Sequence, residues 1–113
     1  FSIDGGRAAF AQLLDAGKLP RAAFVATDDQ ARGMIAAAHD ARLSVPDDLA
    51  IVSIDGTREG AQGSPSLTAV RQPYRRLAEA ALGALRDTDT VGSPRHVYVD
   101  ADLVVGRSCG CRP

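Results

Sequence analysis

Apolar residues along this chain alternate between short, near-continuous runs and longer stretches at helical spacing. Behind Gly5-Gly6, Phe10, Leu13 and Leu14 recur at that spacing with Ala9 beside them. Gly17 supplies the left-handed stop of that first helix. Pro20 punctuates, and Ala22–Ala26 (AAFVA) reads as a short buried strand. Thr27-Asp28-Asp29 then offers capping side chains to a helix running from about Asp29 to Leu43. On it Ala31, Met34, Ile35 and Ala38 form one apolar stripe at i, i+3, i+4 and i+7.

Val45-Pro46-Asp47-Asp48 reads as a turn, and Leu49–Ile54 (LAIVSI) as a strand of the kind covered on both faces. A polar loop runs from Asp55 to Ser66, followed by a third strand, Leu67–Arg71. Pro73 stands where a helix tolerates proline best, at its first position. The helix behind it carries Tyr74, Leu77, Ala78, Ala81, Leu82 and Leu85 on one side. A loop from Asp87 to Pro94 leads to two short strands, near His96–Val99 and Leu103–Val105. Strand–helix alternation of this kind predicts an α/β fold, a doubly wound, mainly parallel sheet flanked by helices.

Composition narrows the function classes. The 113 residues fit one domain, and 45% apolar with 24% charged residues at a net charge of −1 describes an ordinary globular chain. That charge excludes a basic nucleic-acid arm. No apolar run approaches the roughly 20 residues of a membrane helix, and no signal-peptide pattern is present. Cys109 and Cys111 form a C-x-C pair that cannot complete a tetrahedral zinc site, and His39 and His96 have no ligand spacing to it. No metal or cofactor is therefore expected, and the cysteines read as tail thiols in a reducing cytosol. Phe1-Ser2-Ile3 reads as the end of a strand entered halfway, so a longer parent protein is expected.

In open α/β sheets, ligands sit beyond the carboxyl ends of the strands. Here those positions hold Thr27-Asp28, Asp55-Gly56 and Gln72-Pro73-Tyr74. Carboxylates accept paired hydrogen bonds from neighbouring hydroxyls, and an aromatic ring covers the C–H face of a sugar, so the set suits a polyol. Each residue also has a structural reading. Asp28 fits a helix N-cap, and Asp29 a first-turn acid favoured by the helix dipole. Asp55 fits a turn with Gly56. Gln72 fits a turn residue, Tyr74 a core aromatic, and Phe1 an ordered terminus.

The string from Val25 to Thr57, VATDDQARGMIAAAHDARLSVPDDLAIVSIDGT, resembles the lactose/galactose-repressor family and its periplasmic sugar-binding relatives. So do SPSLTAVRQPYRRLAEAALGAL, from Ser64 to Leu85, and the ending DLVVGRSCG. The resemblance implies that residues 1–113 are the C-terminal lobe of a two-lobed clamshell, with an N-terminal lobe and a helix-turn-helix lying outside this chain. It also implies ligand-binding roles. Phe1 falls where an aromatic stacks on the sugar, Thr27 where an amide usually binds ligand, and Asp55 where an acid binds hydroxyls. Gln72 and Tyr74 fall at the pocket wall, and Asp28 joins them as a strand-end acid. Thr27 in place of the usual amide, and Ile54 and Gly56 around Asp55, depart from the pattern. Gly106, before Arg107, is a place where the last strand can bend.

On that resemblance the expected function is effector sensing by a cytoplasmic, homodimeric transcription regulator. A small molecule, in all expectation a sugar, changes operator affinity through the outside DNA-binding domain. The dimer surface is implied along the helix containing Arg32 and Ile35 and the loop near Gly60. The alternative is a periplasmic-type sugar-binding protein or the sensor module of a signalling protein. An enzyme is not expected, because no G-x-S-x-G, P-loop or Rossmann glycine triplet occurs. A phospho-acceptor domain would need a lysine near its last strand, and the only lysine, Lys18, precedes the first.

Overall fold

A computed structural model describes residues 1–86 and 96–111. In chain order its elements are α1 (Ile3–Asp15), β1 (Ala22–Val25), α2 (Asp28–Asp40), β2 (Ala50–Asp55), α3 (Arg58–Ala61), β3 (Thr68–Arg71), α4 (Tyr74–Arg86) and β4 (Asp102–Val104). Strands β1, β2 and β3 are parallel neighbours, and β4 closes the order antiparallel to β3. The fold is mixed α/β with a parallel-dominated sheet flanked by helices, as the alternation of runs and stripes predicts.

The helices start and stop for local reasons. Ser2 caps α1 by accepting from the Gly5 N–H at 3.1 Å, so the helix begins before Gly5-Gly6 rather than behind it. At its far end Gly17 takes φ 63°, and the Lys18 N–H reaches back to the Leu13 carbonyl. Thr27 caps α2, accepting from the Gln30 N–H at 3.2 Å and donating to Gln30 Oε1 at 3.3 Å. The two residues thus hold each other through the Thr27 hydroxyl, which satisfies one of the free N–H groups at the helix start. Of the three capping residues that the sequence offers, the cap is Thr27, one residue earlier than Asp28.

The core is the α2 stripe closed against the sheet. Ala31, Met34 and Ala38 are buried with Phe10, Val25, Leu49, Ile51 and Leu67, and Ile35 packs half-buried at the edge. Helices α1 and α2 cross so closely that glycine is required on both. A Cβ at Gly6 would lie 2.0 Å from the Gln30 carbonyl oxygen, and one at Gly33 would lie 1.9 Å from that of Ile3.

A second fastener comes from the C-terminal segment. Ser108 is fully buried; its Oγ donates to the Ile51 carbonyl at 2.6 Å and accepts from the Thr68 N–H at 2.9 Å. The Ser108 carbonyl in turn accepts from the Ile51 N–H at 2.7 Å. One serine therefore stitches the chain end to β2 and β3.

Three expectations change. Residues 96–100 form no strand, and the last strand is Asp102–Val104. Helix α3 occupies the stretch read as loop. The apolar side of α4 is present but uncovered: none of its residues is buried, and Leu85 is 79% exposed. The loop expected at Asp87–Pro94 lies outside the described residues. Among the described residues, no helix is long and apolar enough to cross a membrane.

Candidate functional site: a cleft at the carboxyl ends of the strands

Parallel pairing sets the strand ends side by side: Val25 aligns with Ser53, and Asp55 with Arg71. The residues that follow each strand therefore converge. Phe1, Thr27, Asp29, Asp55, Thr57 and Glu59 line an open cleft of about 400 Å³. Three of the predicted residues, Phe1, Thr27 and Asp55, share this wall. Phe1 stands almost fully in solvent, 95% exposed, its ring free to cover a ligand.

Asp55 is the organising group. Its Oδ1 accepts from Gln72 Nε2 at 2.7 Å and from the Tyr74 hydroxyl at 3.4 Å. Its Oδ2 accepts from the Asp28 N–H at 3.3 Å. Gln72 and Tyr74 thus join the site as the residues that aim the acid, not as wall residues of the cleft itself. A carboxylate has about four acceptor positions, and only the Gln72 contact is short. Acceptor capacity remains for a ligand hydroxyl.

Asp55 also has φ 123°, an unusual backbone state for a residue with a side chain. Such conformations cost about 1–3 kcal/mol and gather at binding and catalytic sites. Gly56, next in the chain, also has positive φ, and a Cβ on it would lie 2.7 Å from Arg71 Cα.

Asp28 has a different place from the one expected of a ligand contact. Its side chain is 1% exposed. Oδ1 accepts from Ser53 Oγ at 2.6 Å, and Oδ2 accepts from the Thr57 N–H at 2.6 Å and from Thr57 Oγ1 at 2.7 Å. With both oxygens occupied and no path to solvent, this carboxylate ties β2 and the following loop to α2. The physical reason is tertiary: Ser53 and Thr57 are brought under the start of α2 only when the sheet forms.

Sequence reasoning missed Thr57 and Glu59 as cleft residues, and read Asp29 only as a dipole acid. Thr57 carried a signal, since it caps α3 by accepting from the Gly60 N–H at 3.1 Å. A four-residue polar helix, however, shows no apolar period.

Electrostatics fit a ligand rich in hydroxyl donors. The cleft wall presents Asp29, Asp55 and Glu59, and of these Asp29 pairs with Arg32 at 3.2 Å on an exposed surface. The Tyr74 phenol is pushed above the ordinary tyrosine value, first by desolvation and then by the Asp55 charge and hydrogen bond. Removing that charge therefore lowers the Tyr74 pKa. In a Tyr98→Phe background, ultraviolet titration of Tyr74 is expected to show ionisation at lower pH once Asp55→Asn is added. An unchanged titration would contradict the Asp55–Tyr74 contact.

A second, larger hollow of about 670 Å³ lies away from the strand ends, between α2 and the segment from Gly60 to Leu67. Arg32, Ile35 and Gly60, the three residues implied for a dimer surface, all line it. Its chemistry is mostly aliphatic and small, so it lacks the convergent acids of the cleft.

The periplasmic binding protein-like domain family matches residues 2–109 of the chain. The repressor MelR of Bacillus subtilis is 35% identical over 112 residues, covering 98% of this chain and 33% of that protein. A Sanguibacter keddieii structure assigned to the LacI family of transcriptional regulators superposes with a TM-score of 0.87 at 31% identity, covering 97% of this chain and 43% of that one. The LacI-family regulator CcpA from Weissella paramesenteroides, solved with bound glucose, gives 0.81 at 30% identity, covering 95% and 38%. The chain thus spans about one third of the curated relative it matches.

Proposed function

The chain belongs to the periplasmic binding protein-like domain family, in the form carried by LacI-family transcriptional regulators, and we propose that its Asp55 cleft is half of a sugar-sensing site. The observation that carries this reading is the Asp55 carboxylate, held at φ 123° and aimed by donors from the ends of β1 and β3. Sugar hydroxyls donate to Asp55 and Asp29, and the Phe1 ring covers a C–H face. A second lobe of the intact protein closes over the open wall and over the bare apolar row of α4. Closure then alters operator affinity through a DNA-binding domain outside this chain.

The acids make the choice of ligand more specific. A phosphate brought to a wall of Asp29, Asp55 and Glu59 meets like charge. A neutral saccharide is therefore preferred over its phosphate ester on this lobe. The test is a thermal-melting screen of the intact gene product against neutral saccharides and their phosphate esters. A neutral sugar that raises the melting temperature, while its ester does not, supports the reading. A panel in which only phosphorylated or non-sugar compounds shift it contradicts the reading.

The larger hollow is proposed as the homodimer surface, with Arg32, Ile35 and Gly60 among the residues that line it. Two-fold association of this kind matches a two-fold operator. An Ile35→Asp substitution puts an unpaired charge into that contact and is expected to weaken dimerisation about 100-fold. Sedimentation equilibrium reads it directly; an unchanged dimer would move the interface elsewhere.

A further inference from the structure

The C-x-C pair plays no part in the sugar reading, yet its geometry is specific. Arg107–Gly110 forms a turn behind the pinned Ser108, with the Gly110 N–H on the Arg107 carbonyl at 3.4 Å. Gly110 then takes φ 76°, which folds the chain back so that the Cys111 N–H donates to Cys109 Sγ at 3.2 Å. Both thiols are free; Cys109 is half-buried and Cys111 exposed. The pair sits at the amino ends of β2 and β3, beside Pro46, at the opposite end of the strands from the Asp55 cleft.

We propose that Cys109 and Cys111 form a reversible dithiol oxidation site, in which Cys109 is the attacking thiol and Cys111 resolves it to an intramolecular disulfide. The turn supplies the geometry, because a disulfide needs Cα atoms about 4.4–6.8 Å apart, which residues two apart in a folded-back turn provide. The turn also supplies the asymmetry. Burial pushes the Cys109 thiol up, but hydrogen bonds from the Cys111 and Thr68 side chains and from backbone N–H groups outweigh it, and its pKa is lowered. Cys111 moves the other way, raised by its hydrogen bond to Cys109 and by the Cys109 charge. A low-pKa, accessible thiol beside a second thiol is the arrangement redox-responsive cysteines use.

The co-reactant is a hydroperoxide. The Cys109 thiolate attacks its terminal oxygen; an S–O bond forms, the O–O bond breaks, and the leaving alkoxide takes a proton as alcohol. Cys111, giving up its proton, then attacks the sulfenic sulfur; the S–S bond forms, the S–O bond breaks, and hydroxide leaves as water. In sum, two thiols and one hydroperoxide give one disulfide, one alcohol and one water, the two electrons passing from sulfur to oxygen.

The test is hydrogen peroxide treatment of the reduced protein, followed by maleimide quenching and intact mass spectrometry. The wild type is expected to lose two hydrogens and both alkylation sites, and to regain both with dithiothreitol. Cys111→Ser is expected to accumulate a dimedone-reactive sulfenic acid at Cys109. With no peroxide present, iodoacetamide should alkylate Cys109 about tenfold faster than Cys111 near neutral pH. Equal alkylation rates, or a wild type that yields only sulfinic acid or intermolecular dimers, would overturn the proposal. Neither readout depends on a sugar.

Discussion

Replacing Asp28 with alanine is expected to cost about 3 kcal/mol, because it strands the three donors that its carboxylate accepts from. The Ser53 hydroxyl is fully buried and donates to Asp28 at 2.6 Å, and Thr57 donates to it through its N–H at 2.6 Å and its hydroxyl at 2.7 Å. Without the carboxylate none of the three has another hydrogen-bond acceptor among the described residues, and the Ser53 hydroxyl is sealed from water. Removing a buried charge recovers some desolvation energy, but the orphaned donors outweigh it. For a domain of this size a loss of about 3 kcal/mol lowers the melting temperature by about 10–20 °C.

Asp28→Asn is expected to fall between wild type and alanine. Its carbonyl keeps the donors of one carboxylate oxygen satisfied, while its NH2 faces those of the other. A calorimetric melt of the three proteins checks the order. An Asp28→Ala protein that melts within about 2 °C of wild type would mean that the carboxylate is not structural.

The second large effect is a reversal of sign. In an exposed helix interior, Gly→Ala stabilises by about 1 kcal/mol. Gly83, in α4, meets nothing within 4 Å of an added Cβ, and Gly83→Ala is expected to follow that rule. Gly33 lies in α2 at the crossing with α1, where the same methyl would sit 1.9 Å from the Ile3 carbonyl oxygen. A backbone carbonyl cannot rotate away as a side chain can, so α1 must shift bodily. Gly33→Ala is expected to destabilise by about 3 kcal/mol, the overpacking cost exceeding the propensity gain. Urea denaturation of the pair tests this. Two substitutions of the same sign would remove the case for a glycine-mediated helix crossing.

These two sites also mark where the sequence stops being readable. The runs AAFV and AIVSI and the stripe Ala31, Met34 and Ala38 are local patterns, and the strands, the helix and the buried face follow from them. Parallel order then places the strand ends together, so Asp55, Thr27, Gln72 and Tyr74 are legible as one constellation from the succession of strands and helices alone.

What is not legible depends on partners far along the chain. Asp28 looks like a cap because it precedes a helix; its partners Ser53 and Thr57 are 25 and 29 residues away. Ser108 reads as an ordinary tail serine, yet it bonds to Ile51, 57 residues earlier. The apolar alternation at 96–99 suggests a strand, but a strand needs a neighbour to pair with, and these residues pair with none among the described residues. The row on α4 has the helical period of a buried face without a surface to meet. Amphipathicity reports that a face can be buried, and only packing shows what buries it.

Asp55 is proposed as the acid that a sugar meets. The direct measurement is isothermal titration of the sugar that best stabilises the intact protein, against wild type and Asp55→Asn. Asparagine keeps the size and shape of the side chain while removing its charge. Charge-assisted hydrogen bonds contribute about 1.5–3 kcal/mol each. Asp55→Asn is expected to raise the dissociation constant about 100-fold, with a smaller loss of unliganded stability because its NH2 faces a donor that the carboxylate accepts from. An Asp55→Asn protein that binds within about threefold of wild type would contradict it and move the site away from the strand-end cleft.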